Sequence, residues 1–394
     1  MKENRIKKDI IYVGAIDAER RIFDELIPLP EGTTYNSYLI KGSEKTVLID
    51  SVDPSRKDVL FDNLSKAGIE KIDYIIAHHG EQDHSGSIPF LLETYPMAKV
   101  LTNAKCKSEL MDLLLIDEDS FIVVEDGQER TIGNKTLRFI FTPWVHWPET
   151  MVTYIPEDKI LFSCDFFGSH LAIDKLYIDN PEDNYVRAKR YFAEIMSPFR
   201  SVIRKNLEKI AGLDIEIIAP SHGPLHKGKD YIFDCYKDWA SEDVKNEVLL
   251  AYISMHGSTE KMADYFIKAL EKRKIKVNAF NLSDADTGDV AMALVDAATA
   301  VIGSPTVLAG THPKAIFAAF LVKALRPKTK FLSVIGSYGW GGKMVEQLAD
   351  MLGSVGAEIL EPVIIKGFPK EADFKLLDSL ADKILQKHTE LGLI

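Results

Sequence analysis

Cysteine is scarce. The 394 residues hold three, Cys106, Cys164 and Cys235, odd in number and far apart. None forms a Cys-x-x-Cys pair, which excludes a disulfide framework, a zinc ribbon and a rubredoxin-type iron site and points to reduced thiols in a cytoplasmic protein. Long apolar runs are missing too. Nothing approaches the roughly 20 residues that span a bilayer, and the charged stretch from Met1 to Asp9 has no apolar segment after it, so neither a membrane span nor a secretory signal is expected. Positive charge is in deficit: 48 Lys and Arg against 59 Asp and Glu give a formal net charge of -11. That balance argues against nucleic acid or an anionic lipid surface as partner. What remains is an ordinary globular composition, 46% hydrophobic and 27% charged, in a chain long enough for two domains.

Two grammars divide the chain. Up to about residue 240 short apolar or alternating strands dominate: Asn36 to Lys41, Thr46 to Asp50, Asp73 to Ala77, Leu137 to Thr142, Met151 to Ile155, Ile160 to Ser163 and Ile215 to Pro220. Beyond the polar stretch Trp239 to Glu247, strands and helices alternate. Strands are expected at Val248 to Ser254, Lys276 to Phe280, Ala298 to Ile302, Phe331 to Ile335 and Glu358 to Ile365, with helices at Thr259 to Lys272, Pro313 to Leu325, Lys343 to Leu352 and Lys370 to His388. This predicts two domains, 1–245 and 246–394. The second is a doubly wound parallel sheet of order 2-1-3-4-5 that takes its ligand at the carboxyl ends of the strands.

The first half carries a dense ligand cluster, His79-Gly80-Glu81-Gln82-Asp83-His84, directly after an apolar strand. Three more candidates, His146, Asp165 and His222, each follow a strand. A lone histidine at a strand end is usually a satisfied core or surface residue. Together, these seven supply enough ligands for two metals with a carboxylate between them, and carboxylates among the imidazoles favour iron or manganese over zinc. Asp50, Tyr35, His170 and the neighbouring His78 are further polar or aromatic residues near the same strand ends.

The second half carries three loops at the ends of its first, third and fourth strands. Ser254-Met255-His256-Gly257-Ser258-Thr259 opens a helix, where hydroxyls and free backbone N–H groups suit a phosphate, although a plain helix cap is the simpler reading of that loop alone. Ser304-Pro305-Thr306-Val307 and Ser337-Tyr338-Gly339-Trp340-Gly341-Gly342 offer backbone donors and aromatic surface to a flat ring. Neither a Gly-Lys-Ser/Thr nor a Gly-x-Gly-x-x-Gly signature is present.

The ligand order of the first half resembles the metallo-β-lactamase fold, an αβ/βα sandwich whose zinc hydrolases carry His-x-His-x-Asp-His. Here Glu81 stands where those have the second histidine, which is the mark of the flavodiiron proteins. The second half resembles flavodoxin, which implies FMN at the three loops. The resemblance implies two non-haem irons per chain: one held by His79, Glu81 and His146, the other by Asp83, His84 and His222, with Asp165 bridging. His84 is the ligand for which water substitutes in some members. It also places Tyr35 and His170 beside the pocket, as catalytic candidates, and Asp50 as an orienting residue. The implied activity is reduction of O2 to water, of NO to N2O, or both. Electrons would come from rubredoxin or a similar small redox protein, since the sequence contains no rubredoxin module. The implied assembly is a head-to-tail homodimer or a dimer of such dimers. A zinc hydrolase with a flavodoxin appendage and a non-catalytic flavin carrier or gas sensor are the alternatives.

The Glu81→His variant recreates the hydrolase cluster. It is expected to shift metal preference towards zinc and to collapse O2 and NO reduction, because imidazole in place of carboxylate removes negative charge that stabilises ferric iron. Metal analysis with steady-state O2 and NO turnover checks this; iron retained with near-native turnover would refute it.

Overall fold

The computed structural model describes residues 4–394, so the first three residues of the charged N-terminal stretch lie outside the described residues. By compactness the chain forms two units. One runs to Phe192 and resumes from Phe199 to Ala240; the other comprises Ala193–Pro198 and Ser241–Ile394.

Two sheets form the core of the first unit. One has the strand order Arg5–Lys7, Ile10–Tyr12, Tyr38–Lys41, Thr46–Ile49, Tyr74–Ile76, Lys99–Thr102, Phe121–Val123. The other runs Glu129–Thr131, Thr136–Phe141, Met151–Ile155, Ile160–Cys164, Ile217–Pro220, His226–Lys227. Side-chain alternation along a strand explains the layering. Leu39, Leu48, Ile75 and Val100 are aligned across the first sheet and face the helices Lys57–Lys66, Ile88–Thr94 and Ala104–Leu114, packing with Leu60, Leu64, Leu91 and Leu110. The next row, Tyr38, Ile49, Ile76 and Leu101, faces the second sheet and packs with Phe139, Phe162 and Ala219. A one-residue slip in any central strand would exchange these two cores.

The second unit is a parallel sheet of order Lys276–Asn281, Lys245–Tyr252, Ala297–Val307, Phe331–Tyr338, then Glu358–Ile359 and Val363–Lys366, which both pair with Phe331–Tyr338. This is the expected 2-1-3-4-5 order. The strand expected to run from Glu358 to Ile365 is two pieces, separated by Leu360 to Pro362; Pro362 has no N–H to give to a ladder. One helix, Thr287–Asp296, was absent from the sequence reading. Its last residue abuts the strand at Ala297 with no turn between them, so no breaker marks the boundary. Asp286, which accepts from Gly288 N and Asp289 N, is the cap that could have revealed it.

The closing helix Glu371–Glu390 is tied to the sheet by a buried histidine. One His388 nitrogen, Nε2, lies 2.8 Å from Thr299 Oγ1 and the other, Nδ1, 2.8 Å from Asn246 Oδ1. Burial pushes the imidazole down to about 4. The unfolded chain protonates it near ~6.5, so between those values the unfolded state binds a proton that the native state refuses. The resulting stability is complete above ~6.5 and is lost as pH falls towards 4, at most about 3 kcal/mol. Wild type should therefore lose more stability than His388→Gln between pH 6.5 and 4.5, measured as urea midpoints followed by far-ultraviolet circular dichroism. Equal losses would remove His388 as the titrating group.

Candidate metal centre and flavin cleft

Seven side chains converge at the carboxyl ends of the strands Tyr74–Ile76, Ile160–Cys164 and Ile217–Pro220 and in the loop before Met151–Ile155. They fall into two groups whose ligand atoms lie within 4.8 Å of one another: His79, Glu81, His146 and Asp165, and Asp83, His84 and His222. Asp165 joins them. Its Oδ2 is 3.7 Å from His79 Nε2 and 3.6 Å from His146 Nε2, whereas its Oδ1 is 3.0 Å from His84 Nε2 and 3.6 Å from His222 Nε2. Glu81 Oε2 sits 3.1 Å from the Nε2 atoms of both His79 and His146. Asp83 lies against His222 Nε2 at 3.1 Å and His84 Nε2 at 3.3 Å.

The backbone is bent to achieve this. Asp50 and Cys164 end their strands in the left-handed region, at φ 51° and 52°, a conformation that costs a non-glycine residue on the order of 1 kcal/mol. Asp50 does not reach any of the seven. It accepts from His78 N and pairs with His78 Nδ1 at 2.8 Å, while His78 Nε2 meets Thr153 Oγ1 on the other sheet. His78 thus pins the turn that carries His79 and joins the two sheets, a structural role that matches its place outside the ligand pattern.

Supporting partners fix the imidazoles. His79 Nδ1–H donates to Glu149 Oε1 at 2.6 Å and His222 Nδ1–H to Thr34 O at 2.6 Å, which leaves both Nε2 atoms as lone pairs facing inward. Tyr191 Oη donates to Asp165 Oδ1 at 2.9 Å. Glu149 and Tyr191 were not singled out in the sequence, whereas Thr34 lies in the turn Gly32 to Asn36 that the family resemblance places near the pocket. A carboxylate three residues after His146 and just before a strand was the available signal for Glu149; distant Tyr191 left none. His170 packs 4.9 Å from the rings of both His222 and Tyr191, bonds Thr33 Oγ1 through Nδ1 and keeps Nε2 buried without a partner. Tyr35 is buried 6.0 Å from the His222 ring with its hydroxyl unpartnered. Phe23, on a two-strand hairpin, covers His170 and His222, and the adjacent Asp24 carboxyl is pushed up to about 6 by burial and by Glu81 and Asp83.

The electrostatics call for cations. Both oxygens of Asp83 and both nitrogens of His84 are buried without a hydrogen-bond partner. Burial opposes charge on the imidazoles, yet Asp83 and Asp165 carry His84 up to about 10, and Asp165 and Glu81 carry His146 up to about 9. Protons stand where metal ions would, so the residues fit a pair of hard cations.

In the second unit a cleft of about 190 Å³ opens at the strand ends, lined by Ser254, Met255, His256, Ser258, Thr259, Pro305, Thr306, Ser337, Tyr338 and Gly339, with Gly367 in addition to the expected set. The helix Ser258–Lys272 begins at the cleft, preceded by Gly257 at φ 81°. Thr259 Oγ1 meets Ser337 Oγ at 3.2 Å and ties two loops together. Ser304 turns inward, its hydroxyl donating to Pro305 O and accepting from His312 N. Gly257, Ser304, Val307, Trp340, Gly341 and Gly342 are not on the cleft lining, and Trp340 is 80% exposed.

A carboxylate-rich dinuclear ligand set on a β-lactamase-like sandwich, joined to a flavodoxin-like unit, defines a flavin-linked metal oxidoreductase. Comparison with known proteins agrees. Residues 33–223 match the family described as ODP family beta lactamase and residues 250–377 match Flavodoxin. The chain is 33% identical to a nitric oxide reductase of Moorella thermoacetica, covering 96% of this chain and 97% of that one. It is 31% identical to the rubredoxin-oxygen oxidoreductase of Megalodesulfovibrio gigas, covering 98% of each. The solved rubredoxin oxygen:oxidoreductase of Desulfovibrio gigas superposes with a TM-score of 0.94 at 30% identity over 98% of both chains. The chain belongs to the flavodiiron proteins, oxidoreductases that carry FMN and a non-haem diiron centre. Among the described residues no helix is long and apolar enough to cross a membrane.

Glu149→Leu should leave the His79 Nδ1–H without its acceptor and weaken metal retention about 10- to 100-fold. Chelator competition on the metal-loaded protein measures it, and unchanged retention would show that His79 needs no such partner.

Proposed function

We propose that His79, Glu81 and His146 hold one iron, that Asp83, His84 and His222 hold the second, and that Asp165 bridges them. The split of Asp165, one oxygen towards each group, is the observation that carries this reading. His84 is included because its ring faces inward among Asp83 and Asp165 rather than away. FMN occupies the cleft. The Ser254–Thr259 loop and the N-terminus of the helix Ser258–Lys272 hold its phosphate, and the loops at Pro305–Thr306 and Ser337–Gly339 border its ring.

The reaction is reduction of O2 to water, of NO to N2O, or both, with electrons from a rubredoxin-type donor. When bound, two ferrous ions and one FMN hydroquinone supply the four electrons that O2 requires. The protein's own residues do the rest. Glu149 and Thr34 hold two imidazoles in one tautomer; Phe23 and Tyr35 keep bulk water from the second group. Tyr191, donating to Asp165, and His170, with Nε2 unpartnered beside the His222 ring, would be placed to hold or pass a proton at the centre. A head-to-tail homodimer, alone or paired as a tetramer, in the cytoplasm completes the proposal. Leu308 and Trp340, 94% and 80% exposed in loops at the strand ends, supply apolar surface for a second protein to cover.

Asp165→Ala should lose most of the iron while FMN stays bound, because the flavin loops lie in a unit with its own core. Purified wild type should hold about two irons and one FMN per chain by metal analysis and flavin absorbance. Stoichiometric zinc from iron-replete cells, or loss of both cofactors in Asp165→Ala, would overturn the assignment.

A further inference from the structure

Behind Glu149 stands a second carboxyl. Glu109 lies on the helix Ala104–Leu114, whose cap, Asn103, accepts from Lys105 N and Cys106 N and donates Nδ2–H to Glu149 O at 2.5 Å. That bond sets the helix in register with Glu149. Glu149 Oε1 is fully used, accepting from His79 Nδ1–H and from Gly80 N at 3.0 Å. Glu149 Oε2 and Glu109 Oε2 are each buried with no donor, and the two carboxyls are within hydrogen-bonding reach of one another. Gly80 is the spacer between them: a Cβ there would stand 2.9 Å from Glu109 Oε2 and 3.5 Å from Glu149 Oε1.

Two carboxylates that turn buried, donorless oxygens towards each other disfavour double ionisation and favour a shared proton. Since Glu149 faces the His79 N–H, the proton belongs on Glu109. We propose that Glu109 is a positioning residue of the metal centre: as a carboxylic acid it donates to Glu149 Oε2 and so fixes the carboxylate that orients His79. Burial and the adjacent Glu149 push the Glu109 carboxyl up to about 7, against the opposing charges of His79 and of Lys105 on the same helix. The ligand His79 is thus backed by two residues in series, and the outer one sits on a half-buried helix face.

The inference rests on the assignment of His79 as an iron ligand, and the test separates the two. In the iron-loaded full-length protein, Glu109→Leu should weaken iron retention about tenfold against a chelator. Glu109→Gln, whose amide still donates, should stay within about twofold of wild type and leave the diiron midpoint potential unchanged. Were Glu109 ionised, Glu109→Gln would remove a negative charge near the irons and raise the potential, by about 59 mV for each tenfold change in ferric preference. That rise, or Glu109→Leu indistinguishable from wild type, overturns the proposal. A further measurement needs neither iron nor a stable Glu109→Leu: with metal removed at pH 6, wild type should show a buried carboxylic-acid C=O infrared band that Glu109→Gln lacks. Its presence in both proteins would place the proton elsewhere, whatever metal the protein prefers.

Discussion

Three carboxylates and four imidazoles share one buried pocket, and that crowding governs the structure around them. Glu81, Asp83 and Asp165 cannot stay ionised together in a water-poor site without compensating positive charge. Without metal the carboxylates hold His84 and His146 charged; in the working enzyme two irons supply that charge. Everything within one further contact serves the same end. Glu149 and Thr34 take up the outward N–H groups of His79 and His222 so that the inward nitrogens can offer lone pairs to a metal, and His78 fastens the turn that delivers four of the seven ligands.

The sandwich makes this possible by ending its strands at one edge. Thr46–Ile49, Tyr74–Ile76, Ile160–Cys164 and Ile217–Pro220 all stop at that edge: Asp165 directly follows its strand, His222 and His79 come within three residues of theirs, and Asp50, after Ile49, holds the neighbouring His78. The bends at Asp50 and Cys164 are local costs, borne because two packed sheets over-determine the positions on either side. The flavin cleft follows the same logic in a simpler form: parallel strands deliver loops, and a helix N-terminus supplies the donors.

Much of this was legible in the chain. The ligand order with Glu81 in place of histidine, the strand-end positions of Asp165 and His222, and the βα alternation after residue 245 are local patterns that survive without coordinates. The flavin loops were legible as loops, but not residue by residue: Ser304 and Trp340 share a segment with lining residues and face elsewhere. What stayed hidden depends on approach between distant segments. Glu149 matters because it meets His79 seventy residues earlier, and Tyr191 because its hydroxyl reaches Asp165; neither spacing carries a signature. Asp50, which the resemblance placed as orienting a ligand, acts one residue away through His78. The missed helix Thr287–Asp296 failed for a different reason, since it runs into a strand without a breaker.

His78 bears on how the enzyme is assembled. Its two nitrogens reach opposite sheets, to Asp50 on one and Thr153 on the other, and the ligands beside it come from both. No fragment shorter than residues 79–222 contains the complete set. The seven side chains come together only once both sheets have closed on one another. A folded pocket, and no stretch of extended chain, presents the full set to a metal, so the folding of the sandwich and the making of the site are one event.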